Sequence, residues 1–459
     1  MTVASIGKLM KMAKKKSKAK FSLELLAPAG NPEKMKIAFA FGADAVYLGL
    51  PEFSLRARIN DFDLRSIKQA VEYAHERKKK VYATFNVFAQ EKHFKKLPGF
   101  IQEMKKIKID ALIISDPGIL SVVKKNWPTA AIHLSTQANC INSEAAKFWF
   151  GQGVSRIVLG REASLKDIKV IKKAVPKLEL EYFVHGAMCM AYSGRCFLSK
   201  YLTGRSANLG DCVQPCRWPY QVKSKKLEVK SEKLIIPDGA NGIFELYEED
   251  GYSYILNSKD LCLIKHLREL AEAGVTSFKI EGRTKSVYYI ATVIGAYKKA
   301  MNNLGDAKLA AKLQNELEEK IFNRGYTTGF LFNEGKLAQN LATSKENCGW
   351  EFCGQVMESR KLSARGDALA VGQESASGGE VRSKKYLTYV KVHNTLRVGE
   401  EIEIVSPVYD IMKVKLEIMA DAETGEKLTE AHGGGGKVVI IETDNEAPDY
   451  SVLRRKIDH

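Results

Sequence analysis

The chain has 459 residues, 45% of them hydrophobic, and 71 basic against 54 acidic residues give it a net charge of +17. This length and composition exclude a fibrous or fully disordered chain and fit a globular protein of two or three domains. No run of eighteen apolar residues occurs, so we expect no transmembrane helix. The positive charge favours a polyanion such as RNA, or else an acidic membrane surface.

The N-terminus, residues 1–21, is predicted to be a disordered basic tail, because its first twenty residues contain seven lysines and no acid. Such a tail could contact phosphates or could simply keep the protein soluble. No apolar segment of adequate length follows the lysines, so it is not a secretion signal. Eight cysteines without such a signal predict a cytoplasmic protein.

Strands and helices then alternate with short connections, which is typical of parallel β/α units. Asn31 and Pro32 suit the N-cap and first position of the first helix. Eight units predict a TIM-like (β/α)8 barrel over residues 22–304, although periodicity alone leaves an open doubly wound sheet possible. The predicted strands cover residues 23–30, 43–50, 80–89, 111–116, 131–139, 156–161, 179–188 and 276–282.

The chemistry of such a barrel lies where its strands end. That rule selects seven residues near one rim, namely Asn86, Asp116, Gln137, Arg161, His185, Glu281 and Arg283. Of these, Asp116 could merely cap the following helix.

Each of the other rim residues has a functional and a structural interpretation. We predict His185, Glu281 and Arg283 as catalytic, with His185 transferring protons or binding an anion; a hydrogen bond to the backbone would explain it equally well. Arg161 and Arg283 could clamp the carboxylates of a small dicarboxylic acid, or Arg283 could pair with Glu281. Lys279 should share a strand face with Glu281. We predict four substrate-binding residues: Arg161, Asn86, Gln137 and Lys279.

A cysteine loop follows the seventh strand, with the spacing C-x6-C-x15-C-x3-C at Cys189, Cys196, Cys212 and Cys216. Disulfides would need an oxidising compartment, and zinc sites usually show tighter cysteine pairs. An iron–sulfur cluster tolerates irregular spacing and is the favoured interpretation. Four buried cysteines without any ligand would normally stand among apolar neighbours. Cys262, which the sequence places at the start of the helix after the loop, is the main challenger for one ligand position.

Three arginines, Arg195, Arg205 and Arg217, stand near these cysteines. A cation would favour the thiolate and offset the negative charge of a ligated cluster. A solvated basic loop is the alternative.

The rest of the chain changes character. Residues 305–346 are predicted to form a helical linker, and 347–445 a small all-β barrel, because short alternating runs are separated by Gly, Asn, Asp and Pro. Residues 446–459 are predicted to be a tail. The glycines at 433–436 indicate a turn, because no Gly-Lys-Ser/Thr helix start follows them.

Four segments carry a family resemblance: LELLAPAGNPEKMKIAFAFGADAVYLG, HGAMCMAYSGRC, GDCVQPCRWPY and FKIEGRTKSVYYIATVIGAY. They closely resemble the collagenase-like peptidases of unknown catalytic type, family thirty-two, and most of all its branch of prephenate-dependent tRNA uridine 5-hydroxylation. The resemblance implies a four-iron four-sulfur cluster on the four loop cysteines, prephenate as co-substrate and tRNA as partner.

Two other functions remain open from the sequence. Proteolysis is recorded in the family name, but neither G-x-S-x-G nor H-E-x-x-H occurs, which leaves a loop cysteine with His185 as the candidate pair. A non-catalytic RNA-binding protein with a zinc-stapled loop is the second alternative.

Overall fold

The computed structural model describes residues 21–50, 52–55, 61–193, 195–220, 233–237, 243–247, 256–332, 338–341, 343, 348–362 and 385–457. All but the last residue of the predicted basic tail, and Gly194 of the cysteine loop, lie outside this part of the chain.

Eight parallel strands close into a barrel, which confirms the predicted (β/α)8 fold. Neighbouring strands pair in sequence order, and the last strand pairs with both the first and the seventh. That second pairing excludes the open doubly wound sheet. The strands are β1 (Glu24–Pro28), β2 (Ala45–Gly49), β3 (Lys80–Phe85), β4 (Ala111–Ile114), β5 (Ile132–Leu134), β6 (Arg156–Val158), β7 (Glu179–Gly186) and β11 (Val275–Ile280).

Two of the helices between the strands begin at caps that the sequence suggests. Asn31 accepts a hydrogen bond from the backbone of Lys34, and Pro32 follows it. Asp116 accepts bonds from Gly118 and Ile119, so its capping role is confirmed. The barrel helices are α1 (Pro32–Ala40), α2 (Leu64–Glu76), α3 (Glu91–Phe94), α4 (Leu97–Ile107), α5 (Pro117–Asn126), α6 (Ser143–Gly151), α7 (Leu165–Ala174), α8 (Leu198–Thr203), α9 (Leu267–Glu272) and α10 (Val287–Asn302).

A charged network fills one layer of the barrel interior. Arg156 forms ion pairs with Glu24, Glu179 and Glu181. Glu181 also lies 2.7 Å from the Nζ of Lys279. Burial by itself would raise the pKa of Glu181, but Lys279 and Arg156 outweigh it and lower the pKa. The carboxylate is therefore ionised and the layer is held together by paired charges.

Two pairs of short strands lie outside the eight-stranded barrel, and only the second pair joins its sheet. The strands β8 (Lys233–Pro237) and β9 (Ile243–Tyr247) form an antiparallel hairpin within the long excursion after the cysteine loop. The chain returns through β10 (Asp260–Cys262), which pairs antiparallel with the end of β7, and β12 (Tyr326–Thr327) pairs with β10. Our placement of Cys262 at a helix start is therefore wrong, because its backbone belongs to a strand opposite His185.

The second domain is an antiparallel half-barrel of seven strands. Its order is β17-β16-β21-β13-β14-β20-β18, and no pairing among the described residues joins the two edge strands. The strands are β13 (Trp350–Lys361), β14 (Tyr386–Val392), β16 (Glu401–Val405), β17 (Ile411–Lys415), β18 (Met419–Asp421), β20 (Val438–Thr443) and β21 (Val452–Lys456), with β15 (Leu396–Arg397) and β19 (Glu430–Ala431) paired beside them.

The predicted tail at 446–459 is wrong over residues 452–456, because β21 lies between β13 and β16 in the middle of this sheet. The sequence of β21 does not show the usual strand pattern of apolar residues at buried positions, because one of its buried residues is Arg454.

The two domains share a packed interface. Arg454 is fully buried and forms ion pairs with Glu403 of its own domain and Glu316 of helix α11 (Ala307–Lys320). Tyr409 packs on helix α10 at Gly295, where an added Cβ would lie 2.4 Å from its ring. The half-barrel is therefore seated directly on the barrel and its linker helix.

Candidate active site at the carboxyl ends of the barrel strands

A cavity of about 490 Å³ opens where the barrel strands end. Its size is ordinary for a small-molecule site. All four loop cysteines line it, together with six of the seven other predicted site residues: Asn86, Gln137, Arg161, Lys279, Glu281 and Arg283. The structure thus brings the cysteine loop and the rim residues together, as the barrel rule predicts. Their individual roles stay predictions.

The cysteine loop forms a wall of this cavity and is fastened to the barrel. Ser193 donates hydrogen bonds from its backbone and hydroxyl to Glu162, which follows β6. The backbone of Cys196 donates to Asn208 across the loop. Glu162 is a residue that our sequence reasoning missed, because its partner stands 31 positions away and no local pattern links them.

The thiols of the loop affect one another. Burial raises the pKa of Cys216, and negative charge on Cys189 or Cys212 would raise it further, whereas Arg217 opposes the shift. The backbone N–H of Gln214 donates to the sulfur of Cys212 at 3.3 Å. All four thiols line the same cavity, and backbone donors to sulfur are a means by which proteins tune ligated clusters.

No group of three or more His, Cys, Asp or Glu side chains in the described part of the chain is arranged to hold a single metal ion. A tetrahedral zinc site with bonds of about 2.3 Å would bring its sulfurs to within about 4 Å of one another. A multi-iron cluster is wider than one ion and needs only four thiolates facing one space. The four cysteines line one common cavity, and which of the two centres they would hold stays a prediction.

Arg161 and Gln137 each leave a buried polar atom without a hydrogen-bond partner among the described residues, namely Nε of Arg161 and Oε1 of Gln137. Arg161 is held in place by a 2.8 Å bond to the carbonyl of Ala187 and by stacking over Phe183. Because buried polar atoms normally find partners, these two atoms mark a part of the cavity wall whose hydrogen-bonding capacity the described chain does not satisfy.

Arg283 is buried and anchored to the loop after β2. Its guanidinium donates to Ser54 at 2.7 Å and to the carbonyl of Leu55 at 2.6 Å. Asn86 accepts a bond from the backbone of Leu55, so it supports the same loop. Arg283 and Asn86 therefore line the cavity and also hold the loop after β2 in place.

Lys279 and Glu281 both face the cavity, as their alternation along β11 predicts. Lys279 sits at its floor, where burial lowers its pKa and Glu181 opposes that shift. The backbone near Glu281 runs close to Gly186, where a Cβ would lie 2.8 Å from the Glu281 carbonyl oxygen. Gly186 has φ +112°, so its lack of a side chain lets β7 turn into the cysteine loop.

The predicted site residue that does not line this cavity is His185. It is 2% exposed and surrounded by the rings of Tyr289, Tyr297 and Tyr326. Its Nδ1 lies 3.3 Å from the Tyr297 hydroxyl. Burial lowers its pKa to about 3, so the imidazole is neutral at physiological pH. The structure places His185 in a buried aromatic cluster behind the cavity wall, and its catalytic role stays a prediction.

Comparison with known proteins decides the family. Residues 30–340 match Peptidase family U32, and residues 375–454 match the Peptidase family U32 C-terminal domain. The chain belongs to peptidase family U32. The resemblance inferred from the sequence motifs is thereby confirmed.

Named members of family U32 cover nearly the whole chain. "tRNA hydroxylation protein P" of Escherichia coli is 36% identical over 465 residues, which are 95% of this chain and 97% of the relative. The protein of the same name in Haemophilus influenzae is 34% identical over 470 residues, with the same two coverages. "Collagenase" of Porphyromonas gingivalis is 30% identical over 449 residues, which are 94% of this chain and 97% of the relative.

The U32 fold of this chain also gathers charged residues that our sequence reasoning missed. Arg324, which follows α11, forms an ion pair with Asp260 of β10. Burial lowers the pKa of Arg217 and of Lys285, and the nearby Arg324 lowers both further. Three cations thus stand near two acids, Asp260 and Glu281, on the side of the cavity where Cys216 lies. No sequence signal identifies this group, because it forms only when β12 pairs with β10.

A peptidase that used a loop cysteine with His185 would need both side chains to face one space, yet the loop cysteines line the cavity and His185 does not. The cysteine that lies opposite His185, across β10 and β7, is Cys262. Burial raises the pKa of the Cys262 thiol to about 11, and its sulfur contacts the Tyr297 hydroxyl at 3.6 Å. A buried thiol with a raised pKa is a poor nucleophile. Cys262 also does not line the cavity, so it is not placed to replace a loop cysteine.

Among the described residues, no helix has both the length and the apolar character required to cross a bilayer.

Proposed function

We propose that this protein is a tRNA-modifying enzyme that hydroxylates C5 of the wobble uridine, with prephenate as co-substrate and a four-iron four-sulfur cluster as cofactor. The observation that carries the proposal is the convergence of four cysteines and several cationic side chains on one cavity. Relatives that are named for tRNA hydroxylation and match 95% of the chain also support a role in tRNA modification.

The four loop cysteines would hold the cluster, because they line one space and sit beside cations that offset negative charge. Such a cluster supplies redox chemistry that amino-acid side chains cannot provide. The alternative of a zinc-stapled, non-catalytic loop is less well supported, since no three ligands in the described chain are arranged for a single ion.

The cationic residues would bind the dicarboxylic co-substrate. Arg161 offers an unpaired Nε, and Gln137 offers an unpaired Oε1 to a hydroxyl of the same molecule. Lys279 adds positive charge at the floor of the cavity. Prephenate carries two carboxylates and one hydroxyl, so its functional groups match these donors and acceptors. The cysteine wall would keep bulk water away from the bound acid.

The net charge of +17 suits a nucleic acid partner. Proteolysis is the competing activity, because a relative that covers 94% of the chain is named a collagenase. The burial of His185 outside the cavity that the loop cysteines line counts against a pair of His185 with a loop cysteine.

Nucleoside analysis of tRNA tests the proposal. A deletion strain without a redundant pathway should lose 5-oxyuridine derivatives from its tRNA, and the wild-type gene should restore them. A gene carrying Cys212→Ala should fail to do so, whereas Cys262→Ser should restore them. Full 5-oxyuridine content in the deletion strain would reject the proposed function.

A further inference from the structure

A second concave surface lies beside the cavity, and several of its features point to a nucleic acid. It is an open groove of about 510 Å³ between the loop after β3 and the cysteine loop. Its side chains include Phe88 and Phe197, with Arg195 and Lys200 nearby, and among the described residues no acidic side chain lines it. We call it the aromatic groove.

The aromatic rings of this region are unusually exposed. Phe197 is 73% exposed and Phe88 38% exposed, and Tyr201 on the adjoining helix α8 is 85% exposed. Large apolar groups clustered on a surface normally mark a binding site, because leaving them in water is unfavourable. Flat rings beside cations are the arrangement by which proteins hold unpaired bases and their phosphates.

The aromatic groove is a direct continuation of the cavity. Cys196 lines the cavity and the next residue, Phe197, lines the groove. Likewise, Ala207 lines the cavity and Asn208 lines the groove. The two walls are joined by hydrogen bonds to Asn208, whose carbonyl accepts from the backbone of Phe88 and whose side chain accepts from the backbone of Cys196. The groove therefore begins where the lining of the cavity ends along the cysteine loop.

We propose that the aromatic groove binds the nucleotide next to the one in the cavity, in a single-stranded segment of RNA. The base stacks on Phe197, and Arg195 and Lys200 bind the flanking phosphates. This inference rests on the proposed function for the identity of the RNA, and it adds a recognition site that the catalytic proposal does not need. The cations and the exposed rings together favour RNA over an acidic peptide. RNA carries flat bases that can stack as well as a repeating negative charge, whereas an acidic peptide carries only the charge.

Binding of a short stem-loop RNA with an unpaired uridine tests this inference. A fluorescent adenine analogue placed next to that uridine should be quenched by the wild-type protein through stacking. Phe197→Ala should weaken binding about tenfold and abolish the quenching, whereas Phe197→Tyr should retain both, because a ring remains. Lys200→Gln should lower the salt dependence of binding by about one counterion.

Phe148→Ala provides the matched control, because Phe148 is 59% exposed on helix α6 and lines neither concave surface. Unchanged affinity and quenching in Phe197→Ala, or no binding by the wild-type protein, would overturn the groove proposal. Failure of the groove proposal can be told apart from failure of the proposed function. If only the proposed function were wrong, the RNA would still bind with the expected loss in Phe197→Ala, but tRNA from the deletion strain would keep its full 5-oxyuridine content.

Discussion

Lys279 and Glu181 form a buried ion pair inside the barrel, with 2.7 Å between Nζ and Oε1 and side-chain exposures of 5% and 0%. Lys279 therefore has a structural partner, Glu181, and also lines the cavity. The pair joins β11 to β7, which are the two strands whose pairing closes the barrel.

We expect Lys279→Met to lower the free energy of unfolding by about 3 kcal/mol, because Glu181 would keep a buried charge with less compensation. Adding Glu181→Gln should recover much of that loss by removing the charge. Denaturant unfolding followed by circular dichroism measures both. Lys106→Met is the control, since its exposed pair with Glu103 should contribute less than about 1 kcal/mol. Similar losses of unfolding free energy in Lys279→Met and Lys106→Met would show that the buried ion pair contributes no more than an exposed one.

The buried His185 should make the protein sensitive to mild acid. Its pKa is about 3 in the folded chain against 6.5 as the ordinary value. The unfolded chain therefore binds one more proton between these values, so stability falls as pH falls through that window. At pH 5 the cost is about 2 kcal/mol.

His185→Asn should remove this contribution, which makes the unfolding free energy less dependent on pH between 7 and 5. Thermal or urea unfolding over that range measures the difference in slope. His75→Asn, at a partly exposed pair with Asp110, should leave the steep dependence in place. An unchanged slope in His185→Asn would show that the imidazole is not the group responsible.

Cluster binding should depend on the loop cysteines and not on Cys262. Protein purified without oxygen is expected to contain about four irons and four sulfides, and Cys212→Ala should lose most of them. Cys262→Ser should keep them, because this thiol is buried against Tyr297 and lies outside the cavity. Stoichiometric zinc without sulfide would reject the cluster and favour a structural staple.

Arg161→Lys should weaken binding of prephenate about tenfold, since lysine keeps the charge but loses the planar group whose Nε is unpaired. Isothermal titration of prephenate into the anaerobic protein gives the affinity. Arg268→Lys is the control, because Arg268 pairs with Glu272 on the exposed face of α9. Equal affinities for wild type and Arg161→Lys would remove Arg161 from the binding site.

The barrel and most of its rim could be predicted from the sequence, because both depend on local signals. Buried strands, helix caps such as Asn31 and the position of a residue at a strand end need no knowledge of distant contacts. The ends of strands then meet at one rim, which is why Gln137 and Arg161 were found although they are far apart in the chain.

What could not be predicted depends on pairing between distant segments. His185 also stands near a strand end, but its ring lies among three tyrosines and outside the cavity lining. The strand β10 pairs with this end of β7, and no local sequence pattern near Asp260 indicates that strand. The same holds for β21, whose buried Arg454 reads as a surface residue until Glu316 and Glu403 are brought beside it. Aromatic exposure at Phe197 is likewise a property of the folded surface alone.

The seating of Tyr409 on Gly295 has a consequence for how large substrates are handled. The side chain of Tyr409 fills the space beside Gly295, and the buried ion pair between Arg454 and Glu316 ties the half-barrel to α11. We therefore expect the two domains to move as one body. A large ligand that contacted both of them would meet a preformed surface and would have to adapt its own shape to it.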